Sequence, residues 1–242
     1  ATHEFHRAVD FYEAALREER SNALEESKTK GKSHQSDIVS LSHGLAGLYL
    51  KLGRGENAAR VLEEALHSQK HDRSAVSGKD IEDLRQDVQT LLLLTKVKEA
   101  SEHSRGEVSQ TLELAKKCQE DVIQVMRING ASVDLTETEK SKLSEISQRL
   151  GGWLLLNDKQ SDAEEELKFS LQADPHNIET MLTLANLYRS RGVEDMSAVE
   201  LCRAQCKKVI SSDPSNEAAT IILSESMFTS EEPDAAVTPL QD

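Results

Sequence analysis

Two stretches of the chain end an amphipathic run in the same way. Residues 162–177 read DAEEELKFSLQADPHN and residues 205–216 read QCKKVISSDPSN, so each closes on Asp-Pro-x-Asn. A new apolar run follows each copy, from Ile178 in the first case and from Glu217 in the second. Apolar residues recur in these runs every three or four positions, which is the spacing of an amphipathic helix. The repeated phrase predicts an array of helical repeats.

The register of the repeat fits a tetratricopeptide unit of about 34 residues, in which helix A and helix B form a hairpin. With Ala163 at the twentieth position, the other diagnostic positions hold Leu150, Gly151, Leu154, Leu167 and Pro175. An earlier repeat holds Leu45, Ala46, Tyr49, Gly53, Ala58, Leu62 and Ala65 at such positions. Small residues at two positions let helices A and B approach closely, and large residues fill the gaps between repeats.

The register divides the chain into seven parts. These are a partial repeat with one B-helix at 1–19, a polar insertion at 20–38, a repeat at 39–70, a divergent helical pair at 71–135, a repeat at 136–177, a repeat with a short insertion at 178–216, and a partial repeat at 217–242. Thr136 and Glu139 resemble a capping box that opens a helix. Because both ends look like half-repeats, we expect a fragment of a longer array. The predicted fold is all-α, a right-handed superhelix of antiparallel hairpins with no β-sheet.

Composition narrows the class of protein further. The chain has 242 residues, four prolines, 30% charged residues and a net charge of −14, which favours an all-α protein and disfavours binding to nucleic acid phosphates or anionic lipid. No apolar run approaches the length of a membrane span, so we predict a soluble protein without membrane insertion. Three cysteines without an extracellular framework favour a reducing, intracellular setting.

The search for chemistry finds no catalytic group, cofactor site or metal site. Cys202 and Cys206 would face one way on a helix, but they fall at core positions and are better explained as buried small hydrophobes. His67 and His71 lack a third ligand in the sequence, so exposed histidines are favoured over a zinc site. The GRG stretch at 53–55 lacks the context of a phosphate-binding loop, since the repeat explains Gly53 as a turn residue, and the acidic run DAEEE is explained by the helix dipole. We therefore predict that this chain is not an enzyme.

A function must then come from the surface of the repeats. The second, fifth, ninth and twelfth positions of each helix A are predicted to line the concave wall, where helical repeats bind extended peptides or partner helices. An apolar residue at three of four twelfth positions suggests an apolar stripe of Leu50, Leu155 and Phe228. The partner-binding candidates are His43, Leu50, Leu155, Asn186, Arg189, Glu225 and Phe228. The alternative, that these side chains only pack against the adjoining helix, stays open.

One part of the chain resembles a narrower family. A repeat with Cys-x-x-x-Cys in helix B, followed by Asp-Pro-x-Asn-x-x-Ala-Thr and a Met-Phe ending, is similar to the large tetratricopeptide subunit of intraflagellar transport complex A, in the tetratricopeptide repeat protein 21 family. The matching residues are Cys202, Cys206, Asp213, Pro214, Asn216, Ala219, Thr220, Met227 and Phe228. This chain departs from the family at Thr229 and Ser230, and in the following EEPDAAV stretch.

The resemblance implies a non-enzymatic scaffold of retrograde ciliary transport and cilium assembly, located in the cytoplasm, the cilium or flagellum, and the basal body. Its partners would be other subunits of the transport complex and cargo proteins, with no nucleic acid. Two alternatives remain: a generic tetratricopeptide adaptor or co-chaperone, and a substrate-recruiting module of a larger enzyme. A co-chaperone would need a basic clamp at inward positions, and only Asn186 with Arg189 comes near one.

Overall fold

The chain folds into α-helices, and the computed structural model describes residues 2–26, 32–70, 80–101, 105–192 and 195–229. The helices in these residues are α1 (Thr2–Glu26), α2 (Lys32–Lys51), α3 (Gly55–Lys70), α4 (Ile81–Ala100), α5 (Arg105–Ile128), α6 (Val133–Leu156), α7 (Gln160–Ala173), α8 (Ile178–Arg191), α9 (Met196–Ser212) and α10 (Glu217–Thr229). No β-strand occurs among them, so the all-α prediction is confirmed for the described part of the chain.

The chain divides into an N-terminal unit, residues 1–139, and a C-terminal unit, residues 140–242. In the N-terminal unit, α1 to α5 pack as consecutive pairs, and α2 also contacts α4. Its core joins Val9 and Leu16 of α1 to residues of α2, α3 and α4, among them Leu45, Leu62 and Leu94. In α1, Ala8, Tyr12 and Ala15 are half-buried, because α1 faces this core through Val9 and Leu16.

In the C-terminal unit, α7, α8, α9 and α10 pack in sequence, and α8 also contacts α10. The core of this unit contains Leu167, Leu184, Tyr188, Cys206 and Leu223. Helices α8 and α10 are the A-helices of two successive repeats, with α9 as the B-helix between them. Direct packing of A on A, with B beside both, is the arrangement that a helical repeat array requires.

The small residues of the repeat lie where helices approach most closely. Ala58, Ala163 and Cys202, which share the twentieth position, have no exposed surface. A Cβ atom added at Gly151 of α6 would lie 2.7 Å from the Leu167 Cγ of α7, closer than two carbon atoms can approach. The predicted close contact between helix A and helix B is therefore confirmed at these positions.

Three of the turns between helices share one backbone conformation. Gly53 follows α2 and Gly130 follows α5, and each has φ +69°. At Gly53 the turn closes with a hydrogen bond from Arg54 N to Tyr49 O of 2.8 Å, so the glycine acts in the turn as the sequence indicated. Asp158 takes the same place after α6, with φ 59°, and Lys159 N donates to Leu154 O at 3.0 Å. Aspartate is among the few residues with a side chain that tolerate this conformation.

The Asp-Pro-x-Asn phrase joins one repeat to the next. Asp174 ends α7, and Asn177 begins α8 by accepting a hydrogen bond from Thr180 N at 3.0 Å. In the second copy, Asp213 ends α9 and Asn216 accepts from Ala219 N at 3.0 Å. Proline is tolerated here because it lies after the end of the helix. Its missing backbone N–H therefore removes no helical hydrogen bond. The phrase recurs because one aspartate stops helix B and one asparagine starts the next helix A.

The predicted polar insertion at 20–38 is mostly helical where the structure describes it, and this part of the prediction is corrected. Helix α1 runs on to Glu26, and α2 already begins at Lys32. Arg20 pairs with Glu64 of α3 at 2.9 Å, and Ala23 packs against the core of the N-terminal unit. These contacts from a distant helix extend α1 beyond what its local apolar pattern indicates.

The predicted capping box at Thr136 and Glu139 is wrong. Helix α6 begins earlier, at Val133, and Ser132 lies at its start, where its carbonyl accepts from Thr136 N at 3.2 Å. Glu139 is therefore inside the helix, and its side chain is 3% exposed. Its carboxylate accepts hydrogen bonds from Arg85 of α4 at 2.9 Å and from Gln119 of α5 at 2.7 Å. We call this group the Arg85–Gln119–Glu139 clamp.

Candidate partner-binding face

The inward positions predicted for the A-helices lie on an accessible side of each helix. Their neighbours at the seventh, eighth and eleventh positions are buried or partly buried, as in Leu184, Ala185 and Tyr188 of α8. The second, fifth, ninth and twelfth positions of α2, α6, α8 and α10 include no buried side chain among those described. We call these positions the A-helix face and consider it separately for each unit.

In the N-terminal unit, His43 of α2 is directed at the adjoining helix. Its Nε2 lies 2.7 Å from the Thr90 Oγ1 of α4. Because the Thr90 hydroxyl donates to the Gln86 carbonyl at 2.7 Å, its oxygen accepts from the imidazole, which places the proton on Nε2. Burial lowers the pKa of His43 below its usual value. This side chain therefore contacts the adjoining helix α4, and its role in partner binding stays a prediction.

Leu50, at the end of the same helix, is half-buried and borders a cleft. The cleft has a volume of about 460 Å³ and is lined by Leu50, residues 53–57, Ala100 and Ser101. Part of Leu50 packs on the core of the N-terminal unit, so only one side of it faces the cleft. Gly47, one turn earlier, has open space beside it, because an added Cβ would meet none of the described atoms within 4 Å.

In the C-terminal unit, the A-helix face carries apolar side chains on three helices. Leu155 of α6 and Leu182 of α8 are half-buried against the core, and Ile221 of α10 is 50% exposed. Asn177 Nδ2 of the α7–α8 junction donates to Ser144 Oγ of α6 at 2.9 Å and so ties α6 to the start of α8. The apolar side chains on this unit's face are thus Leu155 at a twelfth position and Leu182 and Ile221 at fifth positions, and the stripe of Leu50, Leu155 and Phe228 stays a prediction.

Charged groups border these apolar side chains. Arg189 of α8 forms an ion pair with Glu225 of α10, and Asn186 lies exposed one turn before Arg189. Glu145 of α6 and Glu179 of α8 are also exposed on this face. Phe228 belongs to α10, but its side chain is outside the described part of the structure. The structure therefore brings Asn186, Arg189 and Glu225 to one side of two adjacent A-helices.

Sequence reasoning missed two buried polar groups that connect neighbouring helices, one in each unit. One is the Arg85–Gln119–Glu139 clamp. The other is a hydroxyl cluster in which Ser170 Oγ of α7 lies 2.8 Å from Ser144 Oγ and 2.9 Å from Thr180 Oγ1, with all three residues fully buried. A signal for the clamp was present, because Gln119 interrupts the apolar stripe of Ala115 and Val122, and Glu139 lies one turn before Leu143 on the apolar side of α6.

The cysteine and histidine pairs of the sequence analysis form no reactive or metal-binding site among the described residues. Cys202 and Cys206 are fully buried free thiols, so their predicted core role is confirmed. A hydrogen bond to Cys202 and burial raise the pKa of Cys206 well above its usual value. His67 is exposed, and His71 lies outside the described residues. Over the described residues, no three His, Cys, Asp or Glu side chains converge in a way that could hold a metal ion. None of the described helices is long and apolar enough to cross a membrane.

Solved structures place this architecture among the helical-repeat proteins. The chain is similar to the crystal structure of BtubC from P. vanneervenii, with a TM-score of 0.56 and 15% identity over 98% of this chain and 88% of that chain. It is also similar to the nearly identical TPR-like repeats of a Podosopora anserina kinesin light chain, with a TM-score of 0.51 and 14% identity over 87% of this chain and 94% of that chain. At such identities the likeness defines the fold, a tetratricopeptide-type α-solenoid, and nothing further.

Sequence comparison then gives the family. The family model described as "Tetratricopeptide repeat protein 21 forth ARM domain" matches residues 1–173, which is most of the chain. The chain belongs to the tetratricopeptide repeat protein 21 family. It is 27% identical to tetratricopeptide repeat protein 21A of Mus musculus over 98% of this chain and 16% of that protein. It is 29% identical to tetratricopeptide repeat protein 21B of Homo sapiens over 89% of this chain and 14% of that protein. The chain thus spans a small part of the length of these relatives.

Proposed function

We propose that this chain is part of a non-enzymatic scaffold, a subunit of intraflagellar transport complex A that acts in retrograde ciliary transport and cilium assembly. The observation that carries the proposal is the A-helix face of the C-terminal unit, which is open on α6, α8 and α10 in a member of this family. Its partners are other subunits of the complex and cargo proteins, and its sites of action are the cytoplasm, the basal body and the cilium.

The internal polar contacts support a scaffold. The Arg85–Gln119–Glu139 clamp and the hydroxyl cluster direct their hydrogen bonds at other helices, and so serve the packing of the array. The open positions, in contrast, carry apolar and charged side chains of the kinds that contact partner proteins. A binding face supported by a rigid helical framework is what a scaffold needs, since little of the partner's binding energy is then spent on ordering the scaffold.

The co-chaperone alternative is less well supported. A clamp for a partner's terminal carboxylate needs cationic side chains that are free to accept it. Arg189 is already paired with Glu225, and His43 is bonded to Thr90. An acidic partner would have to displace Glu225 before it reached the Arg189 guanidinium.

A matched pair of variants tests the scaffold proposal in ciliated cells. Ile221→Asp places a charge on the A-helix face, where a partner's apolar surface would have to desolvate it. Leu201→Asp is the control, because Leu201 is similarly exposed, 44% against 50%, but lies on the B-helix α9. We expect Ile221→Asp to lose complex subunits that the wild type and Leu201→Asp retain, with the helical circular dichroism of all three unchanged. Equal retention by both folded variants would contradict a partner role for this face, and recovery of chaperones without transport subunits by the wild type would contradict the ciliary assignment.

A further inference from the structure

The A-helix face of the C-terminal unit combines apolar side chains with an excess of carboxylates. Leu155, Leu182 and Ile221 supply the apolar part. Glu145, Glu179 and Glu225 stand at the inward positions around them, with Arg189 as the cation at such a position. The repeat pattern does not specify which residues occupy these positions. The combination of apolar and acidic side chains is therefore particular to this chain and restricts which partner can bind.

Two of these carboxylates carry uncompensated charge. Glu225 is paired with Arg189, but Glu145 and Glu179 have no ion-pair partner among the described residues. Three other cations of this unit form ion pairs away from these two carboxylates. Lys168 and Arg191 both bind Glu164, and Arg203 binds Glu200 at 3.0 Å. The net charge of −14 adds a long-range field of the same sign.

We propose that this face binds a basic amphipathic segment of a partner protein, with apolar side chains on Leu155, Leu182 and Ile221 and lysine or arginine side chains opposite Glu145 and Glu179. This inference rests on the proposed function, because it assumes that the A-helix face is the partner site. Charge complementarity favours this occupant, since opposite charges speed association and like charges exclude competing partners. An acidic segment would meet two uncompensated carboxylates and one cation that is already paired.

The test uses the 242-residue chain and two synthetic helical peptides with one apolar pattern, one made of leucine and lysine and the other of leucine and glutamate. Binding is measured by fluorescence anisotropy at low and at high salt. The variant Glu145→Gln/Glu179→Gln removes the two uncompensated charges. The control Glu120→Gln/Glu165→Gln removes two exposed carboxylates elsewhere and changes the net charge of the chain by the same amount.

We expect the lysine peptide to bind and the glutamate peptide not to bind. The Glu145→Gln/Glu179→Gln variant should raise the Kd of the lysine peptide by on the order of threefold to tenfold, and added salt should remove that difference. The control should stay close to the wild type. Equal Kd values for the two double variants, or tighter binding of the glutamate peptide, would overturn the proposed preference for a basic partner.

The Ile221→Asp variant separates this inference from the function on which it rests. If Ile221→Asp loses transport subunits in cells while Glu145→Gln/Glu179→Gln binds the lysine peptide as the control does, the face remains the partner site but its basic preference is wrong. If Ile221→Asp keeps all transport subunits and also binds the lysine peptide like the wild type, both the inference and the partner role of the face are wrong.

Discussion

The two units differ in how buried polar groups hold successive helices together. In the C-terminal unit, Asn177 of the first Asp-Pro-x-Asn phrase and the hydroxyls of Ser144, Ser170 and Thr180 form a neutral network at the junction between repeats. In the N-terminal unit, the clamp uses a charged pair, Arg85 and Glu139, which are 54 residues apart in the chain. The asparagine cap recurs with the phrase, at Asn177 and Asn216. The hydroxyl network does not recur, because Val209 and Ala219 take the places of Ser170 and Thr180 at the second copy and lie in an apolar cluster. The clamp involves residues at positions that the repeat does not fix.

The difference has an energetic consequence. A neutral hydrogen bond contributes about 1 kcal/mol, so a network of hydroxyls tolerates the loss of one member. A buried carboxylate with an arginine partner behaves differently, because removal of one charge leaves the other without compensation. We therefore expect the N-terminal unit to be more sensitive to a single polar substitution than the C-terminal unit, and four sets of variants examine this comparison.

The largest effect is expected for Glu139→Ala. It leaves the Arg85 guanidinium, 32% exposed, and the buried Gln119 amide without their carboxylate. Partial exposure of Arg85 and the Glu82 carboxylate, 3.7 Å from its guanidinium, reduce the cost, so we expect the free energy of unfolding to fall by about 2–3 kcal/mol. Chemical denaturation measures it, with the exposed neighbour substitution Glu137→Ala as the control. If the two variants unfold at the same denaturant concentration, the clamp contributes nothing to stability.

Two adjacent glycines of α6 test how much the close apolar contact between α6 and α7 contributes to stability. Gly151→Ala would push a methyl group into Leu167 and should destabilise the chain by about 1–3 kcal/mol. Gly152→Ala places the same methyl in open space and should stabilise the helix by up to about 1 kcal/mol. Thermal or denaturant unfolding of both variants should show shifts of opposite sign. Shifts of the same sign would mean that the register of α6 against α7 is not the one described.

The polar network itself is tested by the two asparagines of the repeated phrase. Asn177→Ala removes the cap on Thr180 N and the hydrogen bond to Ser144, and should cost about 1–2 kcal/mol. Asn216→Ala removes the corresponding cap on Ala219 N and a longer hydrogen bond, 3.3 Å, to the Asp213 carboxylate, and should cost about 1 kcal/mol. A larger loss at Asn177 than at Asn216, measured by denaturation, would show that the hydroxyl cluster adds to the cap. Equal losses of stability would mean that the hydrogen bond from Asn177 to Ser144 adds nothing to the helix cap.

The smallest expected effect is a change in the pH dependence of stability, caused by the Glu164 carboxylate of the C-terminal unit. Partial burial would raise the pKa of this carboxyl, but hydrogen bonds from Lys168, Arg191 and Tyr188 outweigh burial and lower it from 4.5 to about 2. A pKa lowered by folding stabilises the folded state above the unfolded pKa, and this stabilisation is lost as the pH falls from about 4.5 to about 2.

Denaturation at a series of pH values compares Glu164→Gln with the wild type. The variant should lose less stability across that pH interval, and the exposed neighbour substitution Glu165→Gln should follow the wild type. A pH dependence of Glu164→Gln that matches the wild type would mean that this carboxyl does not contribute to acid sensitivity.

Much of the fold follows from local patterns. The register of small and large residues correctly identifies Ala58, Ala163 and Cys202 as fully buried, and Gly53 as a turn residue. The inward positions lie on an accessible side of each A-helix, because a period of 3.6 residues sets which side of a helix packs. The partner role of those positions is not decided by this geometry and remains a prediction.

The sequence by itself determined which helix faces are buried and where α7 and α9 end at the two Asp-Pro-x-Asn phrases, because both depend on residues within one or two turns of each other. Only the tertiary structure decided what each polar residue contacts. Glu139 looked like a capping residue and is a buried carboxylate, and His43, a predicted groove residue, has a hydrogen bond to Thr90 of another helix. A side chain's partner on another helix depends on how those helices pack, and local periodicity carries no information about that pairing.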